Sequence, residues 1–468
     1  MVSIRMTVLF TLFFGLFHLE NVCSHISLSG SGSGGFNMVE TGLMQQFLDY
    51  FWLYFPLGAF GLFRWSVWVI KKICATFYHP IPARIPNYYA SFGIITPVYN
   101  ENPVLFKKAL ASWQQNNPDE LIAVIDERDN SCIEVFREFA SDKPWAKLIV
   151  TPMPGKRPAL VKGILRAKSN IIALVDSDVI WAPTVKENSI APFRDPTIGG
   201  IAVRQNAIES SLIWQKIADM VWDQRNHLDW PSQAAMGKAL TCLSGRTAVY
   251  RRKILLPLLN EFLNETILDR KKESGEDKCL TRLVQREGWN TYYQSNAQVY
   301  TAAVGKFEDF WHQKVRWTRN TYNSDFKSMY EGWIWKKPYL AFFTVDKMIS
   351  VFSLFIGPIA IGIAIYLNHW YVVLSIVILW MVGRGIRLLP HLRRYPKHIL
   401  LIPVYVLSNF WMALAKVYAL VTIRDQRWIR PKNRYEARKR FFKKIKNIVL
   451  TGEIICLLGL FVSLLITR

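Results

Sequence analysis

The stretch NIIALVDSDV, residues 170–179, is a short apolar run that ends on two carboxylates, Asp176 and Asp178. A run of this length, bounded by polar residues, suits a strand buried on both faces, as in a parallel sheet covered by helices. Alternate residues of an extended chain point the same way, so the two aspartates share a side at the strand's carboxyl end, where open α/β sheets bind their ligands. SFGIITPVYNE (91–101), ELIAVIDERDN (120–130) and AKLIVTPMP (146–154) are similar runs that alternate with helical stretches. Residues 88–325 therefore read as a soluble α/β domain with a parallel sheet covered on both faces.

What flanks that domain belongs to lipid. The 468 residues are 51% hydrophobic and 14% aromatic with a formal charge of +23, and the basic residues border long apolar runs. Positive charge placed so marks the cytoplasmic side of a bilayer, and no nucleic-acid partner is expected. Six cysteines lie scattered without a Cys-x-x-Cys pair, which argues against a zinc site or a disulfide framework. Residues 1–24 hold an apolar run too short to span and read as a signal peptide or a short membrane anchor. A glycine- and serine-rich linker covers 25–43. Residues 44–70 read as a first transmembrane helix in which Arg64 either snorkels or faces a polar cavity.

Beyond the α/β domain, 326–345 reads as interfacial and 346–389 as two transmembrane helices. The loop at 384–398 has five Lys and Arg and no acid, and residues 424–446 have eleven against Asp425 and Glu436. Both are expected on the cytoplasmic side, so 399–421 reads as an interfacial or re-entrant helix, with a true span as the rival, and 447–466 as the last span.

Chemistry-bearing residues recur along successive strand ends. Pro97 lies where the first run opens into a loop, and Asp126 ends the second. Lys156 and Arg157 precede a helix, available to a phosphate or a base carbonyl. Asp176 and Asp178 together suit a hard divalent cation bridging a diphosphate, with Mg or Mn favoured by oxygen ligands. Glu276 and Asp277, in SGEDKCLTRLVQREGW (274–289), are either an acidic helix start or a chemical pair. In FWHQKVRWTRN (310–320), Gln313, Arg316 and Trp317 fall at i, i+3 and i+4 of a helix and share a face suited to a sugar ring and a diphosphate.

The series TPVYNE, Asp126, GKR, DSD, LSGRTAVYR, GEDKCLT and QKVRW resembles the membrane-integrated processive family 2 glycosyltransferases. It is most similar to hyaluronan synthases and hyaluronan-synthase-like polysaccharide synthases, and more distantly to cellulose and chitin synthases. The resemblance covers residues from about 90 to 435. It implies an α/β GT-A fold, the nucleotide-diphospho-sugar transferase domain with a parallel-type mixed sheet, inserted between transmembrane and interfacial helices. It further implies Asp126 and Asp176 on the nucleotide of a UDP-sugar, Lys156 on the uracil, Asp178 on the metal, and Asp277 as general base with Glu276 beside it. Gln313, Arg316 and Trp317 would hold acceptor sugar and diphosphate. Ser244 and Gly245 match the acceptor-side loop, while Arg246 stands where many hyaluronan synthases carry proline. Residues 424–435 resemble the gating loop over the donor pocket, with Trp428 retained and Arg430 supplying charge.

The expected activity is elongation of a β-linked polysaccharide, with one base and no second nucleophile giving inversion, and secretion through the chain's own membrane helices. The partners are then the UDP-sugar, the growing polysaccharide and the lipid bilayer, and the place is the plasma membrane with the catalytic domain in the cytosol. A transferase acting once on a lipid phosphate and a non-catalytic channel or scaffold are the alternatives.

Overall fold

The computed structural model describes residues 58–83, 89–153, 155–208, 211–267 and 270–424. The expected leader, linker, gating loop with Trp428 and Arg430, and last span at 447–466 lie outside these residues, as does the first part of the helix expected at 44–70.

Residues 58–76 are helical (α1). The α/β domain then follows the order strand, helix, strand that the apolar runs dictate. Its strands are β1 (Phe92–Val98), β2 (Glu120–Asp126), β3 (Ala146–Thr151) and β4 (Ile171–Val175), with α2 (Pro103–Gln114), α3 (Asn130–Ala140) and α4 (Lys156–Arg166) as crossovers. β5 (Ile180–Trp181), β6 (Ile198–Ala207), α5 (Ile213–Gln224), β7 (Thr247–Arg251), α6 (Glu276–Arg286) and β8 (Asn290–Thr301) complete it. The eight strands form one sheet in the order β3-β2-β1-β4-β7-β6-β8-β5. β1 through β4 pair in parallel, β7 is antiparallel to both its neighbours, and β6 pairs with β8 in parallel. The sheet is thus mixed, as expected.

Strands β1, β2 and β4 are buried almost throughout. Their side chains, among them Ile94, Ile122 and Ile172, share one core with Phe106, Trp113 and Leu160 from the crossover helices. Parallel neighbours end together, so Pro97, Asp126 and the Asp176–Asp178 pair lie along one edge of the sheet.

After β8 come α7 (Phe307–Tyr330), α8 (Pro338–Tyr366), α9 (Trp370–Arg387) and α10 (Ile402–Val421). Among the described residues three helical stretches, Pro338–Tyr366, Trp370–Arg387 and Pro396–Val421, are long and apolar enough to cross a membrane. The first starts before the expected boundary at 346, because PYLAFFTV is itself apolar and Asp346, the charge that follows, is paired. Asp346 accepts from both Arg64 and Lys71 of α1, so the cavity-facing alternative for Arg64 resolves into a shared ion pair. The segment expected at 399–421 lies within Pro396–Val421 and has a span's length and composition. It is more enclosed by protein than α9, since Ala415 and Ala419 pack on Trp311, Val315 and Tyr322 of α7.

Candidate active site

Lys156 organises the edge of the sheet. Gly155, at φ 115, turns the chain into α4, and the first residue of the helix projects its ammonium between two acids. It donates to Asp176 Oδ1 at 2.5 Å and to Glu276 Oε1 at 2.5 Å. Burial works against Lys156 holding its charge, but the two carboxylates outweigh it and raise its pKa above the ordinary lysine value. Glu276 is penalised by burial too, yet Lys156 brings it down to about 2, so it is ionised at any working pH. Burial, reinforced by Asp178 and Glu276, pushes Asp176 up to about 6 against the pull of Lys156.

Asp277 faces the same pocket by a different route. Gly275, at φ 76, caps α6 and lets the chain enter the helix with both acids in its first turn. The Asp277 carboxylate accepts from the N–H of Gly245 at 3.3 Å and from that of Lys278 at 2.7 Å. Pro97, Lys156, Asp176, Gly245, Glu276 and Asp277 line one pocket. Gly245 leaves little room there, because a Cβ on it would stand 3.3 Å from the Lys156 ammonium.

Asp178 is turned toward Thr301, whose hydroxyl donates to it at 3.2 Å. Its pKa is raised, first by burial and then by the nearby Glu101 charge. Glu101 itself accepts from the Ser177 hydroxyl at 2.8 Å. Among the described residues no cationic side chain lies within ion-pair distance of Asp178. A half-buried, crowded carboxylate with oxygen neighbours is a donor set that fits a hard divalent cation.

Asp126 binds Arg128 in a two-pronged ion pair, with 2.7 Å to each oxygen, so on the β2 edge its charge is already in use. Ser244 supplies its carbonyl to the Thr247 N–H. The Arg246 guanidinium lies 5.4 Å from the centre of the Trp317 ring, which brings the acceptor-side loop and α7 together. Gln313, Arg316 and Trp317 are half-buried, while Trp311 and Val315 are buried against α10. The helix divides as its period requires, one face to the membrane segment and the other, carrying those three residues, available to the site.

One expected residue is elsewhere. Arg157 is buried and donates to Glu265 Oε2 at 2.8 Å and to the carbonyls of Phe262 and Ser274 at 2.7 and 3.2 Å. It braces the approach to α6 from beneath and does not reach the pocket. Sequence reasoning also left Glu101, Thr301, Gln205, Arg225 and Lys314 without roles. Only Glu101 and Lys314 lay inside stretches already singled out.

Comparison with known proteins follows this geometry. Residues 90–320 match the family described as glycosyltransferase like family 2. An N-acetylglucosaminyltransferase of Rhizobium meliloti is 28% identical over 74% of this chain and 81% of its own length. The hyaluronan synthase of Streptococcus pyogenes is 25% identical over 80% and 90%. A type 2 glycosyltransferase of Zymoseptoria tritici is 25% identical over 82% and 84%. Among solved structures, a mannosyltransferase from Pyrobaculum calidifontis, in complex with GDP-Man and Mn2+, superposes with a TM-score of 0.54 at 17% identity, covering 77% of this chain and 97% of that one. The likeness is one of fold, and it is the GT-A-like fold expected.

Proposed function

We propose, from the premise that residues 90–320 are a family 2 glycosyltransferase domain, that the chain is a processive, inverting transferase that adds sugars from a UDP-sugar to a β-linked polysaccharide. It works as an integral plasma-membrane protein with this domain in the cytosol, and passes its product out through its own helices. The observation that carries the reading is the convergence of Asp277, the Lys156–Asp176–Glu276 junction and the Arg246–Trp317 contact at one edge of the sheet.

The chemistry divides among those residues. Two backbone N–H groups fix and aim the Asp277 carboxylate, so it takes the proton of the acceptor hydroxyl as that oxygen attacks the anomeric carbon. Glu276, neutralised by Lys156, does not compete for that proton. Its task is to hold Lys156 where the ammonium also meets Asp176 beside the nucleotide. Asp178 would hold Mg or Mn, which supplies positive charge to the departing diphosphate when bound. Trp317 offers a flat face to the acceptor sugar, with Gln313 and Arg316 on the same side of α7. One displacement without a second nucleophile inverts the anomeric centre. What supports secretion through α8, α9 and α10 is α7, which packs on α10 with one face and turns Gln313, Arg316 and Trp317 to the other.

UDP release by the detergent-purified protein, with Mn or Mg and each UDP-sugar alone and in pairs, tests this directly when the product is sized on a gel. Long polymer is expected. Transfer of one sugar to a lipid phosphate, with no polymer from any donor, would overturn the processive reading.

A further inference from the structure

The short helix Leu389–Arg394, in the connection between α9 and α10, brings a histidine onto two acids of α5. Asp219 and Asp223 are spaced i, i+4 and so share one face of α5. His391 meets that face from outside the α/β domain, and all three residues are buried. Asp223 Oδ2 lies 2.6 Å from His391 Nδ1, and Asp219 Oδ2 lies 3.8 Å from it. One ligand atom from each residue falls within 4.8 Å of the other two.

The outer atoms of this group are tied down and the inner ones converge. Asp219 Oδ1 accepts from the Ala207 N–H at 2.9 Å, and Asp223 Oδ1 from the Asn206 side-chain amide at 3.2 Å. Each carboxylate thus spends one oxygen on the end of β6 and turns the other inward. The inward Asp219 Oδ2 meets no donor at hydrogen-bond distance among the described residues, although Asp219 is only 8% exposed. Charge is short as well. Among the described residues Arg394 is the one permanent cation within ion-pair distance of either acid, and it reaches Asp223 Oδ2 from the side open to solvent. Two buried carboxylates that share one guanidinium leave a negative charge withdrawn from water, which is costly until a cation joins it.

We propose that Asp219, Asp223 and His391 form a second divalent-metal site, separate from Asp178, and that its ion is zinc. An imidazole nitrogen beside two carboxylate oxygens suits zinc better than magnesium or calcium. Zinc bonds of about 2.0–2.2 Å in a tetrahedron set the ligand atoms roughly 3.4 Å apart, and the 2.6 and 3.8 Å separations bracket that value. His391 Nε2 lies 2.9 Å from His398 Nδ1, so a second group fixes the ring as it does for metal-ligating histidines generally. Arg394 stands on the remaining, open side and must swing out as the ion enters. No thiolate takes part, which is why cysteine spacing gives no sign of the site. The ion would clamp the α9–α10 connection to the α/β domain. It would also brace the catalytic edge, because Ala207, which holds Asp219, pairs with Thr301, and the Thr301 hydroxyl holds Asp178.

The test uses the full-length protein in detergent, stripped with a chelator and titrated with zinc alone, without nucleotide. The wild type and Asp178→Asn are each expected to retain zinc at this site and to gain thermal stability from it. Cobalt in its place should give visible absorption bands that His391→Ala removes together with the zinc. His398→Ala should weaken zinc about tenfold or more through the ring it orients. Arg394→Gln should bind zinc more tightly than the wild type, because the competing guanidinium is gone, and it keeps the test open if His391→Ala does not fold. Zinc that is lost in Asp178→Asn and kept in His391→Ala overturns the proposal, since it assigns the ion to the catalytic edge. So does the lack of zinc in the wild type and Arg394→Gln alike. Binding is read without turnover, so the result does not depend on the transferase reading.

Discussion

Glu276 and Asp277 are adjacent in the chain yet meet different partners, one an ammonium and the other two backbone N–H groups. The turn that separates them depends on Gly275. Its φ of 76 is costly for any residue with a Cβ, and that Cβ would stand 2.6 Å from Cγ of Asn320. Gly275→Ala should therefore cost about 1–2 kcal/mol for the backbone alone and abolish most UDP release. Adding Asn320→Ala should recover part of the thermal stability by removing the clash, and full activity in the single variant would show that the turn does not aim Asp277. Asp126, Asp176 and Asp178 were legible in the sequence because strand period and strand ends are local properties. That Lys156 meets Glu276 was not, since the two are joined only by the closing of the sheet, and no pattern in either segment encodes that approach.

At the scale of elements, the start of α6 is held by a buried network. Arg157 from α4 pairs with Glu265, which also pairs with Arg282 of α6 at 3.2 Å and lies 3.6 Å from Lys272. Three cations share one acid here, and burial would raise its carboxyl, but Lys272 and Arg157 bring it down to about 2. Glu265→Gln leaves Arg157 and Lys272 without their acid, while Arg282 keeps Glu331 at 2.9 Å, and should lower stability by about 3–5 kcal/mol, read as a fall in the thermal midpoint larger than that of an exposed control such as Glu138→Gln. A midpoint equal to the control's would show that the network contributes nothing. Arg157 also shows why a basic pair is ambiguous before the fold is known. Consecutive helical residues point about 100° apart, so Lys156 reaches the pocket while its neighbour turns under the sheet edge. Hydropathy marked the apolar helices α8, α9 and α10 but not their limits, and flanking charge made α10 read as interfacial where it has a span's length and composition. The expected start of α8 fell at Asp346, but Asp346 is paired and the helix begins at Pro338.

That pair decides how the whole molecule is joined to its membrane segment. Arg64 and Lys71 both come from α1, ahead of the catalytic domain, and Asp346 from α8 beyond it. The chain thus closes around the α/β domain by an ion triad between α1 and the first of the helices apolar enough to span a membrane. A single acid holding two cations in low dielectric is sensitive to its removal, because each freed cation must find water or headgroups at a cost of about 2.5–3.5 kcal/mol near a helix centre. Asp346→Asn should lower the thermal midpoint of the detergent-solubilised protein and make it strongly dependent on detergent chain length. The triple variant Arg64→Leu, Lys71→Leu, Asp346→Leu should restore the midpoint, since replacing a buried ion cluster by apolar residues removes the desolvation cost with the charges. UDP release separates two roles for the triad. If the triple variant is stable and releases UDP at the wild-type rate but makes shorter polymer, α1 and α8 act together on the path of the product; if length is unchanged, the triad serves only to hold the helices together.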